Sequence, residues 1–274
     1  MGKLPSGWME YDDTFEGKSS VVRVDMEPVS SPRERTGLPL LLLLRLAPRR
    51  NFALDLISPF QAWRLERAYQ RLRRLAGKNR IRVVACRTWG SNLQAYCYCP
   101  DEPSALILVK ACQKRRWMML EEELRTDLEW RVYRRDVYPG AAQRQTVKNG
   151  ETIDLMVRHG DDIHAPRRIN HYCSFPDEIS RLGFQEAARK AGFALGDPFF
   201  LPDRDLPHGM CVRHIGSIDK RTLDGWTNRI IAIVEQYKGR YDYWDCQIMR
   251  KNRTRGVPAP RRGGARKKNS GERR

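Results

Sequence analysis

Residues 167–175 read RRINHYCSF, and Ile169, His171, Cys173 and Phe175 alternate there with Arg168, Asn170, Tyr172 and Ser174. A two-residue period of this kind predicts a strand with one buried face. Downstream of it, Asp177 opens a segment in which Phe184, Ala187, Ala188 and Ala191 fall at helical spacing, with Gly192 placed to end it. Phe193 to Phe200 predicts a second strand. After the Pro/Gly-rich turn from Pro202 to Gly209, Met210, Val212 and His214 alternate in a third. Leu223, Trp226, Ile230, Ile233, Val234 and Tyr237 then line one face of a helix, with Asp219 as its N-cap and Gly239 just beyond its end. A last strand puts Trp244, Cys246 and Ile248 on one face and Tyr241, Tyr243, Asp245 and Gln247 on the other.

Strand, helix, strand, strand, helix, strand is the order of the ferredoxin-like fold, a four-stranded sheet carrying both helices on one face. The covered face is expected to take Ile169, Cys173, Val212, Trp244 and Ile248. The bare face would then present Arg168, Asn170, Tyr172, Arg213, Tyr243 and Asp245, which are the expected binding residues for a protein or for RNA.

The first half of the chain repeats much of that plan. After a strand near Val21 to Met26, the run Leu40 to Leu46 predicts a buried strand, and Leu65, Ala68, Tyr69, Leu72 and Leu75 an amphipathic helix. Arg80 to Arg87 and Leu93 to Cys99 read as a hairpin, Asp101 with Pro103 starts a second helix, and Trp117 to Leu124 closes the set. The expected fold class is therefore α+β in two tandem domains, the second ferredoxin-like (βαββαβ) and the first a related α+β sandwich. Expected bounds are 1–126 for the N-terminal domain, 127–147 for a linker, 148–249 for the ferredoxin-like domain and 250–274 for a disordered basic tail.

Composition narrows the function classes. With 41% hydrophobic residues, 7 Trp, 8 Phe and 10 Tyr in 274 residues, the chain has enough apolar surface to fold over most of its length. Its most apolar run, Leu38 to Ala47, is broken by Pro39 and Arg45 and is half of the roughly 20 residues a membrane span needs. Asp12, Asp13 and Glu16 near the start argue against an export signal, and seven cysteines fit reduced thiols, so a cytoplasmic location without membrane contact is expected. Of the 51 bases and 33 acids, 11 bases and one acid fall between Arg250 and Arg274. That tail is expected to make at most nonspecific contact with nucleic acid through phosphate charge.

Several short motifs, taken in order, resemble the family of the regulator of ribonuclease E activity B, a protein inhibitor of that endonuclease. They are His159-Gly160-Asp161, Pro166 to Tyr172 with Phe175, Ala191-Gly192-Phe193, and Tyr237, Gly239 and Tyr241-Asp242-Tyr243-Trp244-Asp245. The family's closing motif is Tyr-Asp-Gly-Trp-Glu, so Tyr243 stands here in place of glycine and Asp245 in place of glutamate. Trp130, Tyr133, Tyr138 and Pro139 resemble an uncharacterised domain family often fused in front of this regulator domain. The resemblance implies a non-enzymatic regulator that binds a protein, an endoribonuclease, and alters its activity. The alternative is a direct RNA-binding protein that uses the bare sheet face, with Tyr172 and Tyr243 as stacking residues, together with the basic tail.

Four other places carry residue types that could support other chemistry. His171 and His214 on neighbouring strands could face one another, with Asp242 as the third group, but two hydrogen-bonded core histidines fit the pattern better than a catalytic or metal site. Asp161, Asp162 and His164 fit a turn better than a divalent-ion site. Cys86, Cys97, Cys99 and Cys112 lack zinc-ligand spacing and read as core residues, so no catalytic residue, metal or cofactor is expected. Arg64, Arg67, Arg71 and Arg74 form a basic stripe along one helix; phosphate could lie on it, but a solvated outer face has the same pattern and is the reading taken.

Overall fold

The computed structural model describes residues 4–30, 37–48, 59–115 and 117–250. The N-terminal elements are β1 (Trp8–Phe15), β2 (Lys18–Asp25), α1 (Glu27–Ser30), β3 (Leu40–Pro48), α2 (Pro59–Lys78), β4 (Arg82–Trp89), β5 (Asn92–Cys99), α3 (Glu102–Gln113) and β6 (Met118–Thr126). They form a six-stranded antiparallel sheet in the order β1-β2-β4-β5-β3-β6. From β3 onward the succession is βαββαβ, and those four strands lie in the order fourth, first, third, second. That is ferredoxin-like topology. The single early strand expected near Val21 to Met26 is instead a hairpin, β1 with β2, turned at Glu16 and Gly17. Both turn residues have positive φ, 52° and 72°, as a two-residue turn of matching twist requires. Glu10, Asp12 and Asp13 hide β1 in the sequence. An edge strand tolerates such charge, and edge charge discourages further pairing.

The stretch Leu40–Leu44 of β3 is continuously apolar because both of its faces pack against other elements there, whereas Arg45 reaches Glu16 and Glu121 at the surface. Leu42, Leu44 and Leu46 meet Leu65, Tyr69, Leu72 and Leu108 under α2 and α3, in the same core as Cys86, Cys97, Cys99 and Cys112. Leu41, with Val84, Tyr96 and Tyr98, packs on the opposite face against Trp130, Tyr133 and Val137. The span 127–147, expected to be a linker, is therefore folded: it supplies the second lid of the first sheet. Trp130 stacks on Tyr98 with ring centroids 3.8 Å apart and donates from Nε1 to the Leu38 carbonyl at 3.2 Å. Asp127 accepts from Tyr98 Oη at 2.6 Å and from the Arg131 and Val132 amides at 2.7 and 3.0 Å, which pins the start of a turn leading to the π-helical stretch Tyr133–Val137.

The second unit contains α4 (Ala141–Arg158), β7 (Arg167–Phe175), α5 (Glu178–Lys190), β8 (Ala194–Phe200), β9 (His208–Gly216), α6 (Lys220–Gln236) and β10 (Arg240–Cys246). Its sheet runs β10-β7-β9-β8, again fourth, first, third, second, and every pair is antiparallel. Asp177 and Asp219 cap α5 and α6 by accepting the Ser180 and Thr222 amides at 2.7 and 3.2 Å. Cys173, Phe175, Phe184, Phe193, Met210, Val212, Ile230 and Val234 fill the core between helices and sheet. Helix α4, absent from the sequence reading, crosses the boundary placed between residues 147 and 148 and packs on α6. Its inward face is polar. Fully buried Asn149 donates to Asp224 at 2.8 Å and Thr227 at 3.0 Å, and accepts from Gln145 at 2.8 Å and Trp244 Nε1 at 2.9 Å. Those four bonds use the whole capacity of its amide and join α4, α6 and β10. Residues 251–274, the rest of the expected basic tail, lie outside the described residues; Arg250 forms a bridge with Asp161.

Candidate functional site

Helices α5 and α6 cover one side of the second sheet, and among the described residues no element covers the other side. Two cross-strand rows run across it. In one, Asp245, Asn170 and Arg213 are register partners on β10, β7 and β9; in the other, Tyr243, Tyr172 and Cys211 are. Asn170 Nδ2 donates to Asp245 Oδ1 at 2.6 Å. Tyr172 and Tyr243 stack at 4.6 Å with their planes 19° apart, and Tyr243 remains 54% exposed. Burial, and then the Asp245 carboxylate, push the Tyr172 phenol up to about 12. Arg168 is exposed at the end of β7, where it shares with Asn170, Asp245, Cys246 and Gln247 a depression of about 390 Å³. All six residues expected on this face are on it.

Two glycines shape the rest of the surface. A Cβ at Gly209 would lie 2.0 Å from the Phe199 ring, so glycine lets that ring cross β9 and come within 6.3 Å of Tyr172. A Cβ at Gly196 would lie 2.9 Å from Arg213 Nη2, so the guanidinium rests over bare backbone. Phe199 and Ile215, the latter 77% exposed, belong to the face and were not singled out from sequence. Phe199 stands in a Pro-Phe-Phe run whose register cannot be read without the partner strand. A register shift lies between Leu195 and Pro198.

A bulge in β10 corrects the expected strand alternation. Tyr241 pairs with Cys173 and Tyr243 with Tyr172, leaving Asp242 as the extra residue. Tyr241 therefore turns into the core and does not share Tyr243's face. Ile248, expected in the core, lies beyond the end of β10 and is exposed.

The inward turn of Tyr241 completes the histidine cluster. Tyr241 Oη is 2.7 Å from His171 Nδ1, and His171 Nε2 is 3.0 Å from His214 Nδ1. His214 also stacks on half-buried Trp226 at 4.5 Å. Burial, helped by His214, holds the His171 pKa down to about 3, and burial holds His214 down to about 4. Both rings are thus neutral near pH 7, and they knit β10, β7 and β9 together from inside. Asp242, the one acid a catalytic reading would add to the two histidines, instead binds Ser174 Oγ and Arg240 Nε.

The other polar cluster is structural too. Asp161 grips Arg167 Nη1 with both carboxylate oxygens, at 2.7 and 2.8 Å, in a fully buried pair, and Arg167 also donates to the Gln247 carbonyl at 3.0 Å. Asp162 accepts the His164 amide at 3.2 Å in an Asx turn. Among the described residues, no three His, Cys, Asp or Glu side chains stand close enough to hold a metal ion, and no helix is long and apolar enough to cross a membrane.

Residues 146–246, from within α4 to the end of β10, match the family model described as Regulator of ribonuclease activity B, so the likeness lies in the second half of the chain. No curated protein matches the chain. Similar solved structures include an unknown protein from Galdieria sulphuraria, at 8% identity and TM-score 0.21 over 77% of this chain and 99% of that one. Another is described as a candidate glycine cleavage system transcriptional repressor, at 8% identity and TM-score 0.22 over 78% and 98%. Neither likeness is close enough to carry an argument.

Proposed function

We propose that this chain is a non-enzymatic regulator whose second domain docks through its bare sheet face on a protein, an endoribonuclease, and changes its activity in the cytoplasm. The observation that carries the reading is the exposed Tyr172–Tyr243 pair beside the Asn170–Asp245 hydrogen bond. Exposed tyrosines with fixed polar neighbours are the usual anchors of protein interfaces. The family match agrees with a regulator of ribonuclease activity. A protein fits this face better than a single strand of RNA, because each tyrosine ring already has one π-face against the other, and Asp245 offsets part of the charge of Arg168 and Arg213.

The test is binding of the purified chain to ribonuclease E from the same cells, by calorimetry, with cleavage of a labelled RNA followed in parallel. Tyr243→Ala and Tyr172→Ala should each weaken binding about tenfold, as expected for loss of an interfacial anchor, and should relieve the effect on cleavage. Unchanged affinity in both variants would refute the assignment of the face. Oligonucleotide binding by the intact chain that disappears in Tyr172→Ala would reassign it to nucleic acid.

A further inference from the structure

We infer that the outer face of α2, in the first domain, binds a single-stranded polynucleotide, with phosphates along its arginines and bases on its exposed rings. This is separate from the sheet-face docking and uses no residue of it.

The side of α2 away from the sheet presents Phe60, Trp63, Arg64, Arg67, Arg71 and Arg74, in which 60/63, 60/64, 63/67, 64/67, 67/71 and 71/74 are three- or four-residue neighbours. Lys78 ends the row, which spans about 27 Å at the rise of an α-helix. Phe60 and Trp63 stack on each other at 5.9 Å and are 63% and 51% exposed, large apolar areas to leave in water. Arg64 lies 4.2 Å over the Trp117 ring and Arg67 4.7 Å over the Trp63 ring, so charge and aromatic surface are interleaved.

Among the described residues, no carboxylate pairs with the exposed arginines of this face. Several buried or partly buried arginines elsewhere have carboxylate partners: Arg23 with Glu10 and Glu66, Arg82 with Asp25, Arg87 with Asp13 and Arg167 with Asp161. Among the described residues, Arg64, Arg67, Arg71 and Arg74 have no such partner. Glu66 is the sole acid of α2, and it is held by Arg23 Nη1 at 2.8 Å and Gln70 Nε2 at 2.7 Å. A solvated helix face is ordinarily laced with both signs of charge and lacks stacked exposed rings. A basic track beside an aromatic platform is the arrangement that holds single strands, which offer both phosphates and unpaired base faces. A duplex hides its base faces, and an acidic peptide has no flat rings for the platform.

The experiment is fluorescence anisotropy of labelled U12 with the full chain across a salt series. It is repeated with Arg67→Glu/Arg71→Glu/Arg74→Glu and with Trp63→Ala; these side chains are exposed, and a thermal melt confirms folding. Residues 251–274 are present in every version, so the differences isolate α2. The triple variant should reduce the slope of log affinity against log salt by about 2, since each single-strand phosphate contact is worth roughly 0.7. Trp63→Ala should lower affinity about tenfold at unchanged slope. Tyr243→Ala should leave U12 binding as it was, so this proposal and the docking proposal fail separately. An unchanged slope in the triple variant would overturn the inference. So would equal affinity for a duplex of the same length, or for labelled polyglutamate with no loss in Trp63→Ala.

Discussion

Mild acid should destabilise the second domain through the buried imidazoles of His171 and His214. In the folded chain burial holds their pKa values down to about 3 and about 4, whereas an unfolded imidazole titrates near 6.5. Between those values the unfolded chain binds more protons, so stability is full above about pH 6.5 and is lost as the pH falls toward the folded values. At pH 5 the magnitude is set by the unfolded imidazole, which sits about 1.5 pH units below its midpoint; that is about 2 kcal/mol for an enclosed ring. His214 lies nearer solvent than His171, and screening reduces its share to about 1 kcal/mol. The chain should therefore lose about 3 kcal/mol between about pH 7.5 and pH 5 from this pair. Urea unfolding at several pH values, on the native chain and on His171→Gln, isolates the larger part. Glutamine keeps a neutral donor and acceptor but cannot titrate, so the variant's pH dependence should be shallower by about 2 kcal/mol over the same range. Parallel curves for the two proteins would refute the reasoning, as would a His171 imidazole NMR signal that titrates near 6.5 in the folded protein.

Other substitutions test the buried polar joints. Asp161→Asn leaves the Arg167 guanidinium buried without a counter-charge, and should cost about 3–5 kcal/mol in denaturant unfolding. A loss under about 1 kcal/mol would mean that water or a neighbour takes over the charge. Asn149→Leu strands its buried partners on α4, α6 and β10 and should cost about 3 kcal/mol; amide hydrogen exchange should show α4 loosening first, and uniform exchange would contradict its role as a joint. Trp130→Ala removes a fully buried indole from the second lid of the first sheet, and should cost about 3–5 kcal/mol. A near-native melting temperature in that variant would show that 127–138 is dispensable to the first domain.

Legibility followed the chemistry of each element. α5 and α6 were readable because their buried residues are apolar at helical spacing and both begin with an aspartate cap. α4 was not, because the side it buries carries Gln145 and Asn149, so no hydrophobic period marks it. β7 was readable to the residue, while the faces of β10 were misassigned at Tyr241, since one bulge shifts the alternation and a bulge is a property of a strand pair. The six expected surface residues share one face because β7, β9 and β10 keep regular two-residue periods outside that bulge. Phe199 and the floor beneath Arg213 depend on Gly209 and Gly196 on adjoining strands, contacts that no local pattern encodes.

Periodicity along the sequence was enough to specify the βαββαβ order in both halves, the core face of most elements and the residues free to face outward, because each is a short-range consequence of burying apolar side chains. Tertiary structure alone decided that 127–138 closes the far side of the first sheet, that Tyr241 joins the two histidines, and that Arg64, Arg67, Arg71 and Arg74 of α2 have no carboxylate partner among the described residues while Arg23, Arg82, Arg87 and Arg167 each have one. Such facts concern which distant groups meet, and partnership between distant groups is settled only when the chain packs.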